Sequence, residues 1–222
     1  MARRRALLAA PALLASGAAA QPRQLDVLLV LAMDASGSID EAEFLLQREG
    51  YAEALVDPAV VAAIRSRPNG AIAIAMLEWG TPGGSALVVD WMRVDNPASA
   101  RAAAEALLAA PRSTQSYNAI GDAIHHASHL LREGPYTAEQ MVIDISGDGP
   151  DMRSHRPAPV ARDIVVRRGM VVNGLAIGPA GGTLAEHYRR DVMGGPGAFV
   201  MEAESRRDLA RALRAKLVRE VS

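Results

Sequence analysis

Apolar positions in this chain come in two rhythms that alternate from end to end. Residues 25–33 form a run that is apolar but for Asp26, the mark of a strand covered on both faces. Asp40 and Glu43 follow at capping-box spacing and open a helix predicted to run through about Val56. Residues 71–79 and 86–94 read as two strands. The linker Gly80-Thr81-Pro82-Gly83-Gly84 predicts that they pair as an antiparallel hairpin. Helices over 97–110 and 119–132 lead to a strand over 141–146. A helix over 158–168, a strand over 170–177, a short helix over 184–192 and a short strand over 199–201 come next. An amphipathic helix over 206–221 ends the pattern. Strands alternating with helices predict an α/β fold: a doubly wound, mostly parallel central sheet with helices on both faces. The hairpin adds one antiparallel edge strand. No internal repeat or low-complexity linker interrupts the pattern, so residues 21–222 read as one domain.

The first twenty residues are a separate object. Arg3, Arg4 and Arg5 make a positive start, Ala6 to Leu14 a short apolar stretch, and Ala18-Ala19-Ala20 a small-residue cleavage site before Gln21. That is the pattern of a secretory signal peptide. The stretch is too short for a bilayer, which takes roughly 20 helical residues. No later segment reaches that length, so no membrane span is expected after cleavage, and an exported, periplasmic or extracellular product is.

Composition narrows the function. Aromatics are 4% of a chain that is half hydrophobic, so the core must be aliphatic. Positive charge is almost wholly arginine, since Lys216 is the only lysine. Without residues 1–20 the chain carries 21 basic and 25 acidic side chains, a net charge near −4. That argues against a nucleic-acid partner, which needs a basic surface. The absence of cysteine leaves the core to stabilise the fold without disulfides.

The candidate chemistry sits at strand ends. The first strand closes in Asp34-Ala35-Ser36-Gly37-Ser38, one carboxylate and two hydroxyls at alternate positions. These are hard oxygen ligands, suited to a small divalent cation. The strand over 141–146 runs into Gly147-Asp148-Gly149. In open α/β sheets, ligands bind beyond the carboxyl ends of strands where the winding reverses. If the two strands are neighbours, Asp34 and Asp148 converge, and two close carboxylates repel unless a cation or proton joins them.

Asp34-x-Ser36-x-Ser38 after an apolar strand resembles the metal-ion-dependent adhesion site of von Willebrand factor A domains. Asn118-Ala119-Ile120-Gly121-Asp122-Ala123-Ile124 is similar to the family's third segment, with Asn118 where the family has threonine. Ile143 to Pro150, Leu77-Glu78-Trp79 and Val88 to Trp91 resemble an uncharacterised group of secreted bacterial members. The resemblance covers residues 24–221 and implies a Rossmann-like, von Willebrand A-like fold. It also implies a metal set of Asp34, Ser36, Ser38, Asn118 and Asp148, with Mg²⁺ foremost and Mn²⁺ or Ca²⁺ as alternatives. The implied partner is a protein that presents an Asp or Glu to an open coordination position. An asparagine carbonyl is still a hard donor, though longer than threonine. Thr114 or Ser116 could take its place, or Asn118 could cap its helix.

This reading is of a binding module and not an enzyme, because no general base and no nucleophile–histidine pair accompanies the motifs. The rivals are a metal-dependent hydrolase and a structural module with a decayed site. His125 and His129 stand four apart on a helix, but His126 fills the place of the glutamate that a zinc hydrolase would need. They read as a solvated cluster. Trp79 and Trp91 read as a cross-strand packing pair. Asp122 and Asp151 read either as tuning the site or as exposed turn and first-turn residues.

One prediction follows from the chain's start: expressed in a bacterial host, the protein is exported and its mature form begins at or near Gln21. Intact-mass spectrometry checks this. An uncleaved, membrane-held product would overturn it.

Overall fold

The computed structural model describes residues 24–179, 182–204 and 206–222. The signal-peptide reading of residues 1–20 lies outside them. Six strands form one sheet: β1 (Gln24–Asp34), β2 (Ile72–Trp79), β3 (Ala86–Val94), β4 (Thr137–Gly147), β5 (Met170–Ile177) and β6 (Val200–Ala203). Their order is β3-β2-β1-β4-β5-β6. Only β2 and β3 pair antiparallel; the other four pairings are parallel. The chain winds outward from β1 to β3, then returns to β4 on the other side of β1. The reversal therefore falls between β1 and β4.

Helices cover both faces. On one lie α1 (Glu41–Val56), α2 (Pro58–Ser66), α3 (Pro97–Ala109) and α7 (Arg206–Val221). On the other lie α4 (Ile120–Glu133), α5 (Ala158–Val166) and α6 (Thr183–His187), which runs on into a π-helical turn, Tyr188–Val192. The apolar run of β1 has its reason here. Val27, Leu29, Leu31 and Met33 enter the first core, while Leu28, Val30 and Ala32 enter the second. Each Leu so buried contributes about 1.5–3 kcal/mol relative to exposure.

Most boundaries agree with the patterning, and the capping box is made. Asp40 Oδ1 accepts from Glu43 N at 2.8 Å and Glu43 Oε2 accepts from Asp40 N at 3.3 Å. The sequence reading missed α2. Asp57 ends α1 and caps α2, taking a bond from Ala59 N at 2.8 Å, and Pro58 stands at the first helical position. Strand β4 begins at Thr137, four residues before its apolar run, because it extends along β1 as far as Gln24. Trp79 lies beyond the last hairpin rung, Glu78↔Ala86, and donates from Nε1 to Ala32 O at 3.0 Å. No rung pairs it with Trp91, which packs on Gly134 instead.

Lys216 is fully buried on α7 and stands between two buried acids. It pairs with Asp144 of β4 and with Glu220 at 2.5 Å. Tyr51 donates to Asp144 at 3.3 Å, and Asn173 Nδ2 donates to Glu220 at 3.0 Å. Burial raises both carboxyls above their ordinary values, and the charge of Asp144 helps push Glu220 to about 7.

Lys216→Met would leave these acids without a cation. The folded chain would then hold protons that the unfolded chain releases, so its stability falls as pH rises. We expect a loss of about 3–5 kcal/mol at pH 8 and a smaller loss at pH 5. Urea melts at both pH values check this, and equal losses would contradict it.

Candidate metal centre

The parallel pairing of β1 with β4 brings the two acidic strand ends together. Met33 lies opposite Ser146, so Asp34 and Asp148 leave adjacent strands side by side. A chain of hydrogen bonds then joins four of the five residues singled out in the sequence. Asp34 Oδ1 accepts from Ser36 N at 2.8 Å, and Ser36 Oγ lies 3.0 Å from Ser38 Oγ. Ser38 donates to Asp148 Oδ1 at 3.0 Å, and Asp148 N reaches back to Asp34 Oδ2 at 3.3 Å. Asp34 and Ser36 are buried, Asp148 is half-buried, and Ser38 is exposed.

Asn118, the fifth residue, is buried against the same loop. A Cβ at Gly149 would come within 2.3 Å of Asn118 Nδ2, so any larger residue in the Asp148 loop would push this amide aside. The carbonyl oxygen Asn118 Oδ1 has no hydrogen-bond partner. Asn118 does not cap α4. The cap position is Ala119, without a side-chain bond, and the free Gly121 N–H is taken by Asp151 Oδ1 at 3.2 Å and Ser154 Oγ at 3.0 Å. The alternatives Thr114 and Ser116 are exposed, and Ser116 Oγ bonds Thr81 Oγ1 at 3.1 Å.

Groups outside this set hold the loops. Gly37 N donates to Ser116 O at 3.1 Å and Ala35 N to Trp79 O at 3.0 Å. Arg112 Nη2 donates to Ile39 O at 2.7 Å. Glu78 pairs with Arg48 at 2.5 Å and accepts from Ser113 N at 2.6 Å, which fixes the start of the Asn118 loop. Asp122 and Asp151 prove to be clamps, neither exposed nor among the site's oxygens. Asp122 accepts from Gly83 N, His155 N and Arg156 N at 3.0–3.3 Å. Burial pushes its carboxyl up, but those three N–H groups and the His155 ring outweigh it and hold the value below the ordinary one. Asp151 also accepts from Ala158 N at 2.8 Å, at the start of α5.

Electrostatics set Asp34 apart. Burial raises its carboxyl, the bonds from Ser36 pull it down, and the charge of Asp148 raises it again, to about 7. The set fits a divalent cation: every candidate donor is a hard oxygen, and the Asn118 oxygen is buried with nothing to accept from. Among the described residues, no group of three or more His, Asp or Glu could hold a metal by itself. The two hydroxyls and the amide are therefore integral to any such centre. His125 and His129 stack edge to face at 4.7 Å elsewhere on α4, and His129 pairs with Glu133.

A mostly parallel six-stranded sheet with this loop at its reversal point defines the von Willebrand A class of fold. The chain belongs to the family described as "Protein of unknown function (DUF1194)", whose model matches residues 24–222. Among solved structures, it is similar to the pilus adhesin SpaC of Lactobacillus rhamnosus GG, with TM-score 0.62 and 13% identity over 89% of this chain and 30% of that one. Proximal thread matrix protein 1 of the mussel byssus, "with zinc occupied MIDAS motif", gives TM-score 0.61 and 15% identity over 89% of this chain and 46% of that one. The von Willebrand domain of the pilus tip protein Mfa5 of Porphyromonas gingivalis gives TM-score 0.61 and 9% identity over 87% and 94%. The chain thus spans less than half the length of the first two, and at these identities the likeness is one of fold. No curated protein matches the sequence.

A prediction follows from Asp34. Its ordinary value is 3.8, so from about pH 4 to about 7 the folded chain keeps a proton that the unfolded chain has lost. In chelator, stability should fall as pH rises through that window, by up to about 1.4 kcal/mol per pH unit from this group. Glu220 adds a slope of the same sign. Asp34→Asn should make the decline shallower, leaving the Glu220 part. Urea melts in EDTA across pH 4.5–7.5 check this, and an unchanged slope would refute it.

Proposed function

We propose that this chain is an exported binding module that holds a divalent cation and uses it to capture a carboxylate of a partner protein. The observation that carries the reading is the continuous oxygen chain Ser36–Ser38–Asp148 beside buried Asp34 and the unpartnered Asn118 oxygen. In this reading Ser36, Ser38 and Asn118 ligate directly, and Asp34 and Asp148 ligate directly or through water. A bound cation would supply a Lewis-acidic position for an Asp or Glu of the partner. Mg²⁺ suits the hard donor set. Mn²⁺ and Ca²⁺ are the alternatives, and Zn²⁺ joins them because the mussel protein has a zinc-occupied motif.

The surroundings support a binder. A groove of about 580 Å³ opens beside Asp148, lined by Ile39, Leu46, Ile177 and Leu184 among others, and gives a partner segment an apolar bed. Ser38 is exposed, which leaves the set open to a large ligand. We also propose that the chain is not a hydrolase. His187, which reaches the Asp148–Asp151 loop, has both ring nitrogens engaged, Nε2 by Asp151 N at 3.1 Å and Nδ1 by Asp191 at 2.9 Å. Export fits the fold neighbours on pili and the signal-like start. No helix among the described residues is long and apolar enough to cross a membrane.

The test is a set of melts with Mg²⁺, Mn²⁺, Ca²⁺ and Zn²⁺ against chelator. An ion that binds only the folded state should add about 2.7 kcal/mol at 100 times its Kd. Asp148→Ala should lose that gain and keep its fold in chelator. Affinity capture from the secreted fraction should be chelator-sensitive, and ester or phosphate turnover should not exceed that of Asp34→Ala. Melting curves that no ion moves would end the metal reading. Turnover lost in Asp34→Ala would favour the hydrolase.

A further inference from the structure

Tyr188 opens the π-helical turn Tyr188–Val192, a widening of the helix that often marks functional sites. Its side chain is fully buried on the α4 side of the sheet. The ring lies in a slot that two strand glycines keep clear. A Cβ at Gly174 of β5 would meet Tyr188 Cδ1 at 2.7 Å, and a Cβ at Gly147 of β4 would meet the Tyr188 hydroxyl at 2.8 Å. Neither strand position could carry a side chain without displacing the ring.

The second of those points also lies 2.8 Å from Asp34 Oδ2. The phenol oxygen and the carboxylate oxygen are therefore at most twice that distance apart, behind the proposed metal set. Yet the Tyr188 hydroxyl has neither a hydrogen-bond partner nor solvent. Leaving a buried hydroxyl unpaired is a cost that phenylalanine in the same slot would avoid. The charged groups that bear on the hydroxyl are Asp34, Asp148, Asp144 and Asp151, all acids. A phenol can donate, and these four carboxylates can only accept when ionised.

We infer that Tyr188 is a positioning residue of the metal centre, donating its hydroxyl to the Asp34 carboxylate, directly or through a water, when the cation is bound. The inference rests on the metal reading above and adds to it a residue outside the Asp-x-Ser-x-Ser pattern. A donor behind a ligating carboxylate fixes its orientation, and loss of such a partner typically weakens metal binding 10–100-fold. If Tyr188 served packing alone, its hydroxyl would be dispensable in both states.

Calorimetric titration of the mature chain and of Tyr188→Phe with Mn²⁺ and Mg²⁺, beside melts in EDTA, separates these roles. We expect an apo Tm equal to or above that of the parent, with ion affinity 10–100-fold weaker. Unchanged affinity in Tyr188→Phe, while the parent binds, would overturn this inference and leave the metal reading standing. A parent that binds no ion would remove both. A Tyr188→Phe chain that fails to fold in EDTA would also overturn it, because a hydroxyl the apo fold requires is not an idle donor. A near-ultraviolet difference spectrum gives a second measurement. Ion binding should perturb a tyrosine band in the parent that is missing in Tyr188→Phe, and a band that persists would count against the inference.

Discussion

The Asp34 carboxylate ends the central strand at the point where the sheet reverses, out of contact with solvent and next to a second acid. A parallel sheet cannot avoid this juxtaposition once both residues are present, because the β1–β4 register carries each strand end to the same level. The Ser36 side chain, the Ser36 N–H and, less strongly, the Asp148 N–H are the compensation that the polypeptide offers. They do not match the cost of burial, and the carboxyl rises to about 7. Close acids of this kind are relieved by a shared proton or by a cation. The first relief weakens as pH rises through the neutral range. The second needs additional oxygen donors, and the neighbouring loops bring them.

Those loops are held by residues that are not among the candidate ligands. Arg112 bridges to the Ile39 carbonyl, and the buried Arg48–Glu78 pair anchors Ser113 at the head of the Asn118 loop. Asp151 and Ser154 cap α4 from a distant loop, while Asp122 fastens the same loop from the helix side. A site built this way keeps its geometry before any ligand arrives, as precise binding requires. Two acids near the strand ends, Asp122 and Asp151, are already committed to backbone N–H groups.

How much of this was legible in the sequence depended on how local the signal was. The apolar run of β1, the capping box at Asp40 and Glu43, and the glycine-rich hairpin linker each act within a few residues, and each formed as read. The convergence of Asp34 with Asp148 could be argued because switch-point topology is a general rule. The α2 helix was missed although Asp57-Pro58 carries a cap and a first-turn proline, since nine residues give a short period. Tyr188 was read only as part of a helix. Its burial depends on glycines 41 and 14 residues away, on two other strands, and no local pattern reports that. The same holds for Asp122, whose partners Gly83, His155 and Arg156 belong to loops that tertiary folding brings near, and for the bond of Asp151 to Gly121, 30 residues away.

Strand β4 and the loop that follows it show two treatments of an acid four residues apart, buried Asp144 and half-buried Asp148. Asp144 receives its cation from within the chain: the only lysine, Lys216, reaches it from α7 and is itself sealed from solvent. This ties the last helix to the strand that delivers Asp148. Asp148 and its neighbour Asp34 receive no such partner. A lysine there would neutralise the pair more cheaply than any recruited ion, since it carries no dependence on ion concentration. It would also fill the space in front of the carboxylates with an ammonium that has only donors and no vacant coordination position. If the proposed capture of a partner's carboxylate holds, the vacancy is what matters. The acid left without an internal cation is therefore the one at the open end of the sheet, beside the groove, and the acid given one is inside the core.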